Sequence, residues 1–231
     1  MALTKRSENA VVYLEAKYYC LWRSIKKQVS GCEEMDVPNP RTGERVKKYG
    51  YRYDTVSGIA TKLVKYDTAQ KYGTRYFGFK LHLADGAETY VIDMPYNSQL
   101  LRRFLHVAHN MFWDIPLSIT VFKGKKGSGE AEPTGVWFQQ RGQTVKPYYT
   151  REQLHGMPEA TFDDTEQRWD FKAQHRWLVE RLQAETIPDI EAAAAKVAPP
   201  IEPEAEPQAE HEPTVDEGPP NDFITDDDVP F

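Results

Sequence analysis

From about Thr186 to Phe231 the chain consists largely of Pro, Glu, Ala and Asp, with almost no large apolar residue before Phe223. Such a stretch cannot bury enough surface to offset the entropy lost on ordering it, so residues 186–231 are expected to be a disordered acidic tail. The Ala-rich run Ile190–Val197 is the one part of it where transient helix is expected. Any core must come from the residues before it. With 40% hydrophobic residues over the 231-residue chain, those are enough for one or two globular domains.

Charge follows the same division. Residues 1–150 hold 23 Lys+Arg against 14 Asp+Glu, and residues 151–231 hold 6 against 21, so a net charge of -6 conceals a body at +9 and a C-terminal part at -15. A basic body joined to an acidic tail suits binding a polyanion with one half and something else with the other. It also allows the tail to compete for the basic surface when no polyanion is present.

Residues Val11–Tyr149 are rich in aromatic and β-branched residues, and their period-2 patterns predict strands. One strand is expected within Val11–Trp22. Within Gly31–Lys48, the run Val37-Pro38-Asn39-Pro40-Arg41-Thr42-Gly43 reads as a turn or extended loop. Tyr51–Tyr66 reads as one long strand, in which Gly58 marks a bulge at a barrel corner. Arg75–Leu83 alternates, with Phe77, Phe79, Leu81 and Leu83 on one face and Tyr76, Lys80 and His82 on the other. Ala84-Asp85-Gly86 turns the chain into a return strand, Glu88–Met94. A helix capped by Asn97 or Ser98 should run to about Trp113, burying Leu101, Phe104, Leu105, Ala108, Met111 and Phe112. Leu117–Lys123 and Gly135–Arg141 are the last two barrel strands, with Gln143–Tyr149 a candidate extension of the second after a turn at Gly142.

The order strand, strand, strand, helix, strand, strand is that of the OB-fold, a five-stranded, partly open barrel. The predicted fold is therefore mainly β: an OB-fold-like barrel with a helix between strands 3 and 4, a C-terminal helix and the acidic tail. A small β-sandwich with one helix gives a similar pattern. The domains expected are 1–149, the barrel with an extra N-terminal strand of unknown pairing; 150–185, a helical extension; and 186–231, the tail. Asp163 or Asp164 with Glu166 reads as a capping box opening a helix over Asp163–Glu185, with Trp169, Trp177, Leu178 and Leu182 as its apolar surface.

The last six residues are Asp226-Asp227-Asp228-Val229-Pro230-Phe231. Three carboxylates leading to an apolar tip suit a docking peptide, the aromatic entering a pocket and basic groups on a partner holding the acids. This tip, with Asp222-Phe223 upstream, resembles the acidic tip of bacterial single-stranded DNA-binding proteins (SSBs). The resemblance covers about ten residues and implies recruitment of replication, recombination or repair proteins rather than DNA contact. The body departs from the cellular SSB core in its late start, long helix and extra residues 150–185. That points to a divergent, bacteriophage type acting in the host cytoplasm. The oligomeric state is left open.

Single strands offer unpaired bases to aromatic side chains and phosphates to Lys and Arg. Residue types of both kinds interleave in Tyr49, Tyr51, Arg52 and Tyr53 beside Lys47 and Lys48, in Lys65 and Tyr66, and in Tyr72 beside Lys71. They do so again in Arg75, Tyr76 and Lys80, in the loop residues Lys123, Lys125 and Lys126, and in Trp137 and Arg141. These are the candidate single-stranded DNA contacts.

No phosphate-binding P-loop, nucleophile elbow, zinc-protease or Cys-x-x-Cys motif occurs, and the acids of the body are scattered. His106 and His109 stand three apart without a third ligand at metal spacing. Cys20 and Cys32 read as reduced thiols. No enzyme activity, metal or cofactor is expected. No apolar run approaches the roughly 18 residues of a membrane span, and no secretory leader is evident, so a soluble, cytoplasmic protein is expected. The alternatives are an adaptor or inhibitor that reaches repair enzymes through an SSB-like tip without binding DNA, and a metal-dependent enzyme acting on nucleic acid.

Overall fold

A computed structural model describes residues 10–17, 20–38, 42–67, 77–124, 134–165 and 167–197. The tip residues Asp226, Asp227, Asp228, Val229, Pro230 and Phe231 therefore lie outside the described residues, as do Tyr72, Arg75, Tyr76, Lys125 and Lys126.

The chain is mainly β. Its strands are β1 (Ala10–Lys17), β2 (Cys20–Ile25), β3 (Glu33–Pro38), β4 (Arg45–Tyr53), β5 (Thr55–Asp67), β6 (Phe77–Asp85), β7 (Glu88–Pro95), β8 (Leu117–Lys123), β9 (Thr134–Gln140) and β10 (Gln143–Thr144). All ten belong to one sheet in the order β10-β9-β8-β5-β6-β7-β1-β2-β4-β3. The order is open at both ends: the strands form one extended ten-stranded sheet, not a closed barrel, in place of the five-stranded, partly open barrel expected. The flank of β7 away from β6 is taken by β1, which runs parallel to it from Ala10↔Glu88 to Glu15↔Asp93. That is the pairing of the N-terminal strand.

The hinge of the sheet is β5. Its first residues, Thr55–Gly58, pair with β8, and from Ile59 onward it pairs with β6. A strand that changes partners must bend where it does so, and Gly58 sits at that point. A Cβ there would come within 2.7 Å of the Ala84 carbonyl oxygen, so the backbones approach too closely for a side chain. The register shift itself lies between Ala60 and Lys62 rather than at Gly58. The long strand read over Tyr51–Tyr66 is two strands, broken at Asp54, and the segment around the turn read at Val37–Gly43 is the β3–β4 pair, with β3 running to Pro38.

Alternation decides which side of the sheet is buried. Phe79, Leu81 and Leu83 of β6, Leu117, Ile119 and Val121 of β8, and Val12 and Leu14 of β1 all enter the core. A helix, α1 (Gln99–Val107), follows β7; Ser98 caps it by accepting the Leu101 N–H at 3.1 Å. Its Leu101, Phe104 and Leu105 are buried, and Phe104 meets Phe138 of β9 at 5.7 Å between centroids. The helix ends earlier than expected, passing into a 3-10 turn at Ala108–Asn110. Beyond that turn the helical phase is lost, so Phe112 is 62% exposed while Trp113 is turned inward.

The helix expected over Asp163–Glu185 is not continuous. A small hairpin, β11 (Thr161–Asp163) and β12 (Arg168–Asp170), comes first, and Asp163 accepts the Thr165 N–H within its turn instead of capping a helix. Helix α2 (Lys172–Arg181) follows, then a π turn at Leu182–Thr186, then α3 (Ile187–Val197). Pro188 has no N–H to give the carbonyl four residues back, which accounts for the widened turn. The segment from Thr186 to Val197 was expected to belong to the disordered tail. It is instead helical and packs on β5, with Thr186 and Ile190 buried. Ile190→Ala is expected to lower stability by about 2–5 kcal/mol, as for a buried aliphatic truncated in a core. Urea unfolding of the full chain checks this, and an unchanged midpoint would mean that α3 does not stay docked.

Candidate nucleic-acid interface

The side of the sheet away from the core is traced by its registers. Residues paired across a ladder point the same way, so Tyr13 of β1 shares a face with Val91 of β7 and His82 of β6. His82 in turn shares it with Lys62 of β5, and Lys80 with Val64. On the other half of β5 the same face carries Thr55 beside Thr120 and Ser57 beside Ser118, hydroxyl pairs at 2.8 and 2.7 Å. It ends on β9, where Trp137 lies opposite Thr120.

Two aromatic clusters lie on this face. In one, Trp137, 49% exposed, packs on Phe122 at 4.3 Å between centroids. In the other, the Lys80 ammonium lies 5.1 Å from the Tyr66 ring centre and 6.0 Å from that of Tyr13, which is 62% exposed. Tyr66 donates to Asp93 Oδ1 at 2.6 Å. Burial first, then that bond and the carboxylate charge, push the phenol well above its usual pKa, so it stays protonated. The ring lies against Gly78, where a Cβ would sit 2.5 Å from the phenol oxygen. His82 is pushed below its ordinary pKa by burial and then by Lys62 and Lys80, so the positive charge here is that of the lysines.

Of the candidate contacts, Tyr66, Lys80 and Trp137 are brought onto this one face, and the registers running from Asp93 through Glu15 and Trp22 carry it on to Arg52 of β4. Tyr49, Tyr51 and Tyr53 share the other side of β4. Tyr53 packs edge-on to Tyr90 at 6.2 Å, and the Arg23 guanidinium lies 5.7 Å from the Tyr51 ring centre. Arg52 alternates to the opposite side and pairs with Asp54 at 2.8 Å. Nearby Lys47 and Arg45 pair with Glu34 and Asp36 at 2.7 and 3.6 Å, which offsets much of the basic charge of that strand. Lys65 points to the core side, its ammonium 4.9 Å from the Phe77 ring centre and donating to Gln183 at 3.3 Å. Lys123 ends β8, exposed. Arg141 sits at φ 52 in the tight turn after β9, 5.8 Å from the Phe112 ring centre.

Sequence reasoning missed Tyr13, Lys62, His82 and Phe122. The alternation of Tyr13 with Val12 and Leu14 was a usable signal, but its meaning depends on the β1–β7 pairing. His106 and His109 do not converge. His106 Nδ1 lies 2.9 Å from the Tyr149 carbonyl oxygen, and His109 Nε2 lies 2.7 Å from Glu185. Among the described residues no three His, Cys, Asp or Glu stand together as a metal site, and no helix is long and apolar enough to cross a membrane. No family model, curated protein or solved structure matches the chain.

Proposed function

We propose that this chain is a non-enzymatic single-stranded DNA-binding protein of replication, recombination or repair. In this reading bases stack on the outer sheet face, lysines meet phosphates, and sequence preference is weak. The observation that carries it is that face: exposed Trp137 on β9 and Tyr13 on β1, with Lys62 and Lys80 on the strands between them. We read β5 to β9 with α1 as an OB-like unit. What supports this is the order strand, strand, strand, helix, strand, strand, and a first strand shared between the second and the fourth. The tip Asp226–Phe231, through its resemblance to the SSB tip, recruits partner proteins. With the body's departure from the cellular SSB core, we read the protein as a phage product acting in the bacterial cytoplasm.

The test is a gel shift of the full chain with oligo-dT, duplex DNA and RNA at two salt concentrations. Oligo-dT should bind most tightly and weaken as salt rises, since neutralised phosphates release counterions. Absence of binding to all three would leave the adaptor reading, and Mg-dependent cleavage would leave the nuclease reading. A chain ending at Val197, which keeps α3, tests the tail. It should bind oligo-dT more tightly than the full chain at low salt, with the difference shrinking as salt screens it. An equal dissociation constant at low salt would rule out competition by the tail.

A further inference from the structure

Away from the sheet face, two cavities adjoin where α1, α2 and the β11–β12 hairpin meet. One, of about 390 Å3, is bounded by Tyr96 and Arg102; the other, of about 650 Å3, by Trp169 and Arg151. Both fall in the size range of small-ligand sites, about 300–1,000 Å3. They share a wall that includes Phe171, 56% exposed, and Gln174. Gln174 donates to the Pro158 carbonyl at 2.9 Å, which ties α2 to the loop beneath. Each cavity thus has an arginine of its own, an aromatic of its own, and one face of the wall formed by Phe171.

Phe171 offers an apolar ring to whatever occupies the two cavities, and the cations indicate the charge of that occupant. Arg102, Arg151 and Lys172 outnumber Asp170 and Glu159 in the lining, and Lys172 is engaged with Asp170 at 3.6 Å. Tyr96 is held in place by aromatic contacts on two sides, to Phe77 at 4.5 Å and to His175 at 4.3 Å. Two adjoining cavities, each lined by aromatic rings and an arginine, match a nucleic-acid strand, whose flat apolar bases alternate with phosphates.

We infer that Phe171 is a wedge between two successive nucleotides of a single strand, one base in each cavity, with Arg102 and Arg151 meeting the phosphates. This rests on the single-strand reading above and extends the strand path beyond the sheet to the C-terminal region. The role of Phe171 is contact with the ligand, and its exposure means that replacing it leaves the core intact.

The experiment measures oligo-dT binding by the full-length wild type and by Phe171→Ala, Phe171→Leu and Phe171→Trp, with circular dichroism confirming that each folds. Alanine and leucine should each weaken binding at least about fivefold, the low end of what one stacked base contributes. Tryptophan should bind like the wild type, because stacking needs a ring. A wild type that binds while Phe171→Ala binds equally well would overturn the wedge and leave the sheet-face reading standing. Leucine behaving like phenylalanine would show a merely apolar contact, such as a docked peptide, and would also overturn it. A wild type that binds no oligo-dT would overturn both readings. Free thymidine monophosphate competing as strongly as the strand would make this a nucleotide pocket and not part of a strand path.

Discussion

Trp137→Ala should weaken oligo-dT binding by about 5- to 150-fold, corresponding to the roughly 1–3 kcal/mol that one stacked base contributes. The indole is half exposed on the outer face, supported by Phe122, and on the opposite side of β9 from the buried Val136 and Phe138. Its loss should therefore leave the unfolding midpoint nearly unchanged while affinity falls. Tyr53→Ala is the contrasting variant: Tyr53 packs against the core and Tyr90, so it should cost stability and spare affinity. Equilibrium titrations of both variants, with parallel urea melts, test the assignment of faces. Should the tyrosine variant lose affinity and the tryptophan variant keep it, the strand would lie on the other side of the sheet.

Phe104→Ala is expected to lower the unfolding free energy by about 3–5 kcal/mol. Phe104 is fully buried in α1 and touches both Trp113 and Phe138, at 6.2 and 5.7 Å between ring centres, so it joins the helix to the chain after it and to β9. Truncation leaves a cavity between three elements that cannot all close in on it. A loss of that size is a large share of the 5–15 kcal/mol typical of a domain. Denaturant unfolding followed by tryptophan fluorescence reads it, and a loss under about 1 kcal/mol would show that α1 repacks freely over the sheet.

What the sequence revealed was mostly local. The β6–β7 hairpin, β8, and the Ser98 cap of α1 are each set by contacts within a few residues, and alternation or a capping side chain is enough to find them. Failures came where distant partners decide. Glu33–Pro38 shows no strand pattern of its own and its last two residues read as a turn, yet it is a strand because β4 supplies its ladder, and Pro38 is tolerated at the end of an edge strand. Trp169 looked like one face of a helix, but the preceding chain is turned back into a hairpin by Asp163. Ile187–Val197 is too short and Ala-rich to signal a stable helix alone, and the surface that holds it is on β5. The candidate interface divided the same way. Proximity in sequence put Arg52 with Tyr51 and Tyr53, and Lys65 with Tyr66, whereas strand alternation sends each of these neighbours to opposite sides of the sheet. Tyr13 joins Lys80 only through a ladder between segments far apart in the chain.

That parallel ladder also bears on the order in which the molecule can assemble. An antiparallel hairpin closes a turn of a few residues, but Ala10 meets Glu88 only after the whole of β2 to β6 has been closed into a loop. The entropic cost of that closure is met before any hydrogen bond of the ladder repays it, which makes such pairings slow. On a ribosome β1 is synthesised first, and its partner in the parallel ladder follows only when β7 is made. Until then Val12 and Leu14 lack the strand they pair with, because the ladder to β2 takes only Glu15, Ala16 and Lys17. The earliest strand to be made is thus among the last to be fixed in place.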